Sequence, residues 1–462
     1  MHTESFAELQ SAHVMQCWSR QGQARPIPVA STSGCWITTV EGRRIFDLRS
    51  AHECINLGFN HPRVLEAMRR QMESVVYVTD DFATEPTAAL AAELARLTPG
   101  SPRKRVFFSQ SGASAVEAAI KGARMFRYAE TFGTPPSHTD ASLPYPFPYK
   151  IISRYRSWHG SSFGASSASG DPRRWFLEPA AAPGFVFAPE AGDYRPYFGE
   201  GAEGVERHLQ YLDYMVEQEG GNARVAAFLI EPVVGSNGII PPPAGYLHGL
   251  RDLCDRWGLL LIADETMTGL GRTGKFLAIQ HDEVEPDIIV MGKALGAYCP
   301  LAATIFSEKV SRVFERHIFG HGLSFSGHAL SCAAALESLR VLFEERLVER
   351  AEELGRYLGE RLRAMASRHP SVGDVRGLGL FWTLDLVKDR KKRTPLRRAT
   401  EKYLPTVMQD ISRFLLEERR IYVPSDKFGI WVVPPLVVTR DEIDFIVEGI
   451  DASLALADAA LA

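Results

Sequence analysis

Leu259-Leu260-Leu261-Ile262-Ala263-Asp264 and Asp287-Ile288-Ile289-Val290-Met291-Gly292-Lys293 decide the reading of this chain. Each is a short, nearly unbroken apolar run that closes on a charged residue, the pattern of a strand buried on both faces of a mostly parallel sheet. An acid and an amine at the ends of neighbouring strands would face one crevice, the place where open α/β sheets bind ligands.

Outward from this pair, short apolar strands alternate with amphipathic helices from residue 62 to 330, which predicts an α/β domain with helices on both faces of the sheet. The strands are expected at Arg105 to Phe108, Ile151 to Arg154, Ala226 to Ile230, Leu259 to Ala263, Asp287 to Met291 and Ala302 to Phe306, with Gly245 to Trp257 as a crossover helix. Residues 1–61 read as an irregular appendage with one hairpin, Cys35 to Val40 against Ile45 to Leu48, contributing to a smaller domain. Residues 331–462 supply the rest of that α+β domain, long and helical after Gly327, with a new strand region opened by Val375-Arg376-Gly377-Leu378-Gly379-Leu380. The proline-rich stretch from Phe132 to Tyr149 cannot continue a helix and is expected as a surface loop.

Two motif strings fail on context. Gly269-Leu270-Gly271-Arg272-Thr273-Gly274 spells the dinucleotide fingerprint, but Glu265 to Thr268 separate it from its strand and no long helix follows. As a Walker loop it fails because Phe276 stands where a magnesium-binding hydroxyl is required. A better anion site is Ser109-Gln110-Ser111-Gly112-Ala113-Ser114, which follows a strand and opens a helix whose free amides and positive dipole end suit a phosphate. An ordinary capped helix start reads equally well there. Taken singly, Asp264 is a carboxylate capping a buried strand and Lys293 a solvated lysine. Together with the cradle they suit pyridoxal phosphate, whose aldehyde takes a lysine Schiff base, whose ring nitrogen takes a carboxylate, and whose phosphate needs such a helix start.

The chain resembles the class III, or ω-type, aminotransferases, pyridoxal-phosphate enzymes of fold type I. The resemblance spans nearly the whole length through Asn56-Leu57-Gly58-Phe59-Asn60-His61-Pro62, Ser111-Gly112-Ala113, Glu117-Ala118-Ala119-Ile120-Lys121, Trp158-His159-Gly160 and Glu231-Pro232-Val233. It continues through Asp264-Glu265, the glycine string, Gly292-Lys293-Ala294-Leu295, His321 to His328 and Pro434-Pro435-Leu436. Arg154 to Gly160 and Gly170-Asp171-Pro172-Arg173-Arg174-Trp175 look most like the taurine:pyruvate and β-alanine:pyruvate branch. The resemblance implies that Lys293 carries the cofactor and then shuttles the proton, which requires a neutral amine. It implies that Asp264 holds the pyridine nitrogen, that Trp158 stacks on the ring, and that Ser111, Gly112 and Ala113 cradle the phosphate. The resemblance further implies that Thr266, where relatives usually have Val, lies behind the ring, that Met267 contacts the cofactor, that His159 and Glu231 act as supports, and that Ser324 reaches the phosphate of a neighbouring subunit, so a homodimer is implied.

Departures from the family pattern bear on the substrate. Ser236 and Trp431 stand where relatives that accept 2-oxoglutarate have Glu and Arg, so pyruvate or another small oxo acid or aldehyde is the expected amino acceptor. No arginine occurs in Pro424 to Val433, where the pyruvate branch often has a mobile one. Lys427 is the only cation there, a point charge and not a bidentate fork. His52-Glu53 lies near where relatives place a pocket Trp or other apolar residue, and an acid at position 53 favours a cationic amine; an exposed loop glutamate is the plainer alternative. The expected reaction is ping-pong transfer of an amino group from a primary or ω-amine. A decarboxylase, racemase or aminomutase on the same fold, or a non-catalytic cofactor-binding protein, remains the competing reading.

The totals agree with a soluble enzyme. With 462 residues the chain exceeds one compact core, and 52 basic against 56 acidic side chains argue against nucleic acid as a partner. Six scattered cysteines without C-x-x-C spacing argue against a metal site and against a disulfide framework, and no leader or membrane-length apolar run is present, so a cytoplasmic protein is expected.

Overall fold

A computed structural model describes residues 5–133, 147–192, 194–396, 406–424 and 429–461. The first three strands, β1 (Val29–Ser33), β2 (Trp36–Thr39) and β3 (Arg44–Asp47), form an antiparallel meander. The expected hairpin is β2–β3; β1 carries the polar run Val-Ala-Ser-Thr-Ser, mostly exposed, which gives no apolar alternation to read. The meander is no appendage, because its far edge pairs in parallel with a strand from the other end of the chain.

Seven strands make the central sheet: β4 (Arg105–Ser109), β5 (Lys150–Arg154), β6 (Phe185–Ala188), β7 (Val225–Ile230), β8 (Leu260–Asp264), β9 (Ile288–Met291) and β10 (Ala302–Phe306). Their order is β4-β10-β9-β8-β7-β5-β6, and only β10 runs antiparallel to its neighbours. Six are those expected from the sequence within a residue or two. The seventh, β6, is a four-residue edge strand directly after Pro183-Gly184, too short to announce itself.

β7, β8 and β9 are buried at every residue, as their continuous apolar runs require. Successive side chains point to opposite faces. Leu260, Ile262, Ile288 and Val290 pack with Val116, Ala119 and Ile120 of the helix Gly112–Phe132, while Leu261 and Ile289 pack with Leu250, Leu253 and Cys254 of the crossover helix Tyr246–Trp257. Asp264 shares the parity of Leu260 and Ile262. It therefore emerges on the face that carries the Gly112–Phe132 helix.

That helix ends at Phe132 with Gly133 as its left-handed cap; the proline-rich stretch beyond it, residues 134–146, lies outside the described residues. After two long helices, Ala329–Glu344 and Leu347–Ala366, β11 (Val372–Leu378), β12 (Phe381–Asp389), β13 (Thr394–Pro395) and β15 (Gly429–Val432) form a further sheet. β14 (Ile421–Tyr422) leaves it to pair with β3. The helix Arg440–Ala459 closes the chain, opened by a capping box between Thr439 and Glu442.

Candidate active site

Asp264 closes β8, and its carboxylate is 4% exposed. Oδ2 lies 2.8 Å from His159 Nδ1, and Oδ1 accepts from the Thr266 amide at 3.1 Å and the Thr266 hydroxyl at 2.5 Å. An ionised carboxylate only accepts, so Nδ1 of His159 carries the proton in this pair. His159 Nε2 lies 3.3 Å from Ser153 Oγ, and the His159 amide donates to Ser169 Oγ at 2.8 Å. Asp264 is thus locked from two sides, which fixes the direction in which its remaining lone pairs point.

Thr266 ties three parts of the site together. A Cβ placed on Gly112 would come within 2.8 Å of Thr266 Cγ2, and one on Gly292 within 3.2 Å of the same atom. The first turn of the Gly112–Phe132 helix, the loop after Asp264 and the backbone just before Lys293 therefore approach as closely as glycine allows. Ser111 caps the helix, accepting from Ser114 N at 3.2 Å, and the Ser114 hydroxyl oxygen accepts in turn from Ser111 N at 3.2 Å. Gly160 abuts Ala113, where a Cβ would lie 2.4 Å from the alanine methyl. Ser109 Oγ and Gln110 Nε2, just before the cap, are buried without a partner among the described residues.

Glu231 joins two loops: Oε1 accepts from the Trp158 amide at 2.9 Å and Oε2 from the Gly235 amide at 2.8 Å, while burial pushes its carboxyl above the usual range. The Trp158 ring carries the Arg173 guanidinium over it at 3.6 Å and meets the edge of Trp18 at 5.8 Å. Arg173, quoted above only within a branch motif, is brought onto Trp158 by this contact. Met267 packs with Val233, Ile239, Phe381, Trp431 and Val433, and Ser236 Oγ lies 3.5 Å from its sulfur.

Lys293 follows β9 in a left-handed backbone conformation, φ +47°, with its side chain 25% exposed. Its Nζ donates to Glu53 Oε2 at 2.5 Å. Glu53 is not on an exposed loop: its side chain is 1% exposed. The reason is a turn in which Ser50, Ala51, His52 and Glu53 all have positive φ, between 46° and 63°. Such a backbone costs roughly 1–2 kcal/mol per residue. Asp47 accepts from the Arg49 amide at 2.9 Å and the Ala51 amide at 2.6 Å, and Ser50 Oγ donates to Val433 O at 2.6 Å. Arg49 donates to Glu53 Oε1 through Nε at 2.9 Å and Nη2 at 2.6 Å, and lies 4.2 Å over the Trp431 ring. Burial alone would raise the Glu53 carboxyl, but Arg49 and Lys293 overcome it and hold the group at about 2.

Glu53 and Trp431 thus meet through Arg49, which the sequence reading missed. The four-residue spacing from Arg49 to Glu53 was its one available signal. Lys427 lies outside the described residues. Ser324 is exposed on the segment before Ala329, its carbonyl accepting from the Tyr77 hydroxyl, and no hydrogen bond joins it to Lys293, Asp264 or Ser111 among the described residues. The glycine string forms a loop without a following long helix. At its centre Arg272, fully buried, donates to Pro434 O at 2.5 Å, to Leu380 O at 3.1 Å and to Asn56. It clasps the two ends of the chain together. No group of three or more metal-ligating side chains is found among the described residues.

A lysine and an aspartate at adjacent strand ends, a capped helix start pressed against the loop between them, and this sheet order define a fold type I pyridoxal-phosphate enzyme. Residues 18–454 match the sequence profile described as Aminotransferase class-III, and the chain belongs to that family. It is 30% identical to the taurine–pyruvate aminotransferase of Bilophila wadsworthia over 97% of each chain. It is 34% identical to the ornithine aminotransferase of Bordetella pertussis (strain Tohama I), over 92% of this chain and 90% of the relative. Among solved structures it is similar to taurine:2-oxoglutarate aminotransferase from Bifidobacterium kashiwanohense, in complex with PLP and glutamate, with a TM-score of 0.90, 34% identity and coverage of 99% and 98%. The protein is a pyridoxal-phosphate-dependent aminotransferase, taking an amine donor and a keto-acid acceptor.

Proposed function

We propose that this chain is an ω-type transaminase that moves an amino group from a primary or ω-amine to pyruvate or a similarly small carbonyl compound. The observation that carries the site assignment is the convergence of Asp264, Thr266, Gly112 and Lys293 at the ends of β8 and β9. Lys293 would bond the cofactor and, as a neutral amine when free, would move the proton. Asp264, oriented by His159 and Thr266, would hold the ring nitrogen and favour its protonated form. Bound there, pyridoxal phosphate supplies an electron-accepting ring. Ser111, Gly112 and Ala113 offer the phosphate their helix-start hydroxyl and amides. Trp158, steadied by Arg173 and by Glu231 at its amide, would offer the ring a flat surface, and Thr266 and Met267 would support it from the other side.

Ser236 and Trp431 favour a small acceptor: neither supplies the acid–arginine pair for a second carboxylate, and Trp431 fills its place with an apolar ring. The taurine–pyruvate relative fits this reading, and the 2-oxoglutarate-using structural neighbour is the rival it must exclude. Incubation with an amine panel and either pyruvate or 2-oxoglutarate separates them. Alanine formed at least about tenfold faster than glutamate supports the proposal, and equal rates refute it. A decarboxylase or racemase forms neither.

Exposed Met72, Val75, Val76, Phe82, Ile318 and Phe325 flank Ser324 and Tyr77, which supports a homodimer in which Ser324 serves the partner's phosphate site. The β3–β14 pairing supports a division into a large domain, 62–330, and a smaller one built from 1–61 and 331–462. No described helix is long and apolar enough to cross a membrane, and all six cysteines are free thiols, which fits the cytoplasm.

A further inference from the structure

Glu53 stands where an apolar residue would serve an ordinary amine pocket, and the chain accepts a run of four left-handed residues to aim it inward. Its two oxygens are divided between two cations. Oε1 takes both nitrogens of Arg49, which cannot easily turn away because its guanidinium is laid over Trp431. Oε2 takes Lys293 Nζ at 2.5 Å. A buried carboxylate so placed is a strong partner for an ammonium and a poor one for a neutral amine.

We infer that Glu53 is a positioning residue that receives the side chain of Lys293 whenever it is not bonded to the cofactor, holding its ammonium between turns of the cycle. The inference rests on Lys293 being the cofactor-bonding lysine. In the half of the cycle in which the amino group rides on the cofactor, Lys293 is free and would otherwise lie unpaired near Arg49. Pairing with Oε2 gives its charge a buried counterion and returns the side chain to one place. Only the neutral amine can take the next proton, so Nζ gives its extra proton up to solvent before Lys293 leaves Glu53 to act. The other charged or titratable groups around the pair are Asp47, His52 and Cys54 from the same turn and Arg272 from the glycine-rich loop; Asp264 is engaged by His159 and Thr266.

The test is limiting acetylation of the cofactor-free, full-length protein across a pH series, with the Lys293 peptide quantified by mass spectrometry against the other lysine peptides. In Glu53→Gln the amide leaves Arg49 without its counterion, and Lys293 becomes acetylated at least about tenfold faster at neutral pH, with its reactivity profile displaced to lower pH. Glu53→Asp, which keeps the charge but shortens the arm, falls between the two. A merely structural glutamate would change all lysine peptides or none. Should Glu53→Gln not accumulate as folded protein, Glu53→Asp alone must show acetylation faster than the parent. Identical Lys293 profiles in parent and variants overturn the inference, as does an unchanged profile accompanied by a higher KM confined to diamine donors, which would place Glu53 in substrate binding. Borohydride fixation of the cofactor on Lys293 in the parent and in Glu53→Gln keeps this outcome separate from failure of the site assignment itself.

Discussion

Asp264 and Lys293 stand at the ends of ordinary buried strands, whereas Glu53, which touches Lys293 from the other side, stands in a left-handed turn built from the first and last parts of the chain. The floor of the crevice is held by regular hydrogen-bonded pairing and by parity: every second residue of β8 faces the Gly112–Phe132 helix, so Asp264 must. The wall is held by charge. Arg49, Glu53 and Lys293 form a chain of two ion pairs, roofed by Trp431 and anchored by Asp47. A wall of this kind is sensitive to loss of one partner in a way that the floor is not.

Arg49→Met has the largest expected effect, since it removes the cation on Oε1 of a buried carboxylate and leaves Lys293 on Oε2 as its counterion. Stability falls by roughly 3–5 kcal/mol, read from the denaturant midpoint, and a loss below about 1 kcal/mol would show the wall to be no more charge-dependent than the floor. Asp264→Asn attacks the floor without unfolding it, because the amide oxygen still accepts from Thr266 and the amide nitrogen can donate to His159 Nδ1 in its other tautomer. Transamination in single turnover falls by about 100- to 1000-fold, while the thermal midpoint shifts little.

Gly112→Ala sharpens the picture of the floor as a close approach of three backbones. Its new methyl would lie 2.8 Å from Thr266 Cγ2, so the helix start or Thr266 must shift, and pyridoxal-phosphate affinity, measured by titration, weakens about tenfold. Unchanged affinity would remove Gly112 from the cradle. The smallest effect is on acid stability. The Glu53 carboxyl is held at about 2 against an ordinary 4.5, so its contribution is complete above 4.5 and is lost as pH falls toward 2. Between about pH 5 and about pH 2.5 the thermal midpoint of Glu53→Gln therefore drops less than that of the parent. Parallel curves would mean that the pair adds nothing to acid stability.

What could be read in advance divides along the same line. Six of the seven central strands, the crossover helix and both charged strand ends follow from apolar runs and their lengths, which are local properties. The capped start at Ser111 was legible for the same reason. Arg49 was not, because nothing in Leu48-Arg49-Ser50-Ala51-His52-Glu53 signals four positive φ values without a glycine. The contacts that enforce them, from Ser50 to Val433 and from Arg49 to Trp431, span almost the entire chain. The same distance hid the use of Arg272, whose glycine-rich neighbours suggested a nucleotide loop and which instead binds Asn56, Leu380 and Pro434 together. The family resemblance, not periodicity, brought His159, Glu231 and Thr266 to notice, and their hydrogen bonds around Asp264 and Trp158 give the physical reason for them.

Lys293, at the end of β9, is proposed as the point at which protein and cofactor become covalently joined. Borohydride reduction of cofactor-saturated protein, followed by proteolysis and mass spectrometry, tests it directly. A single reduced adduct on the peptide containing Lys293 is expected. An adduct at another lysine, or none in protein shown to be saturated, contradicts it.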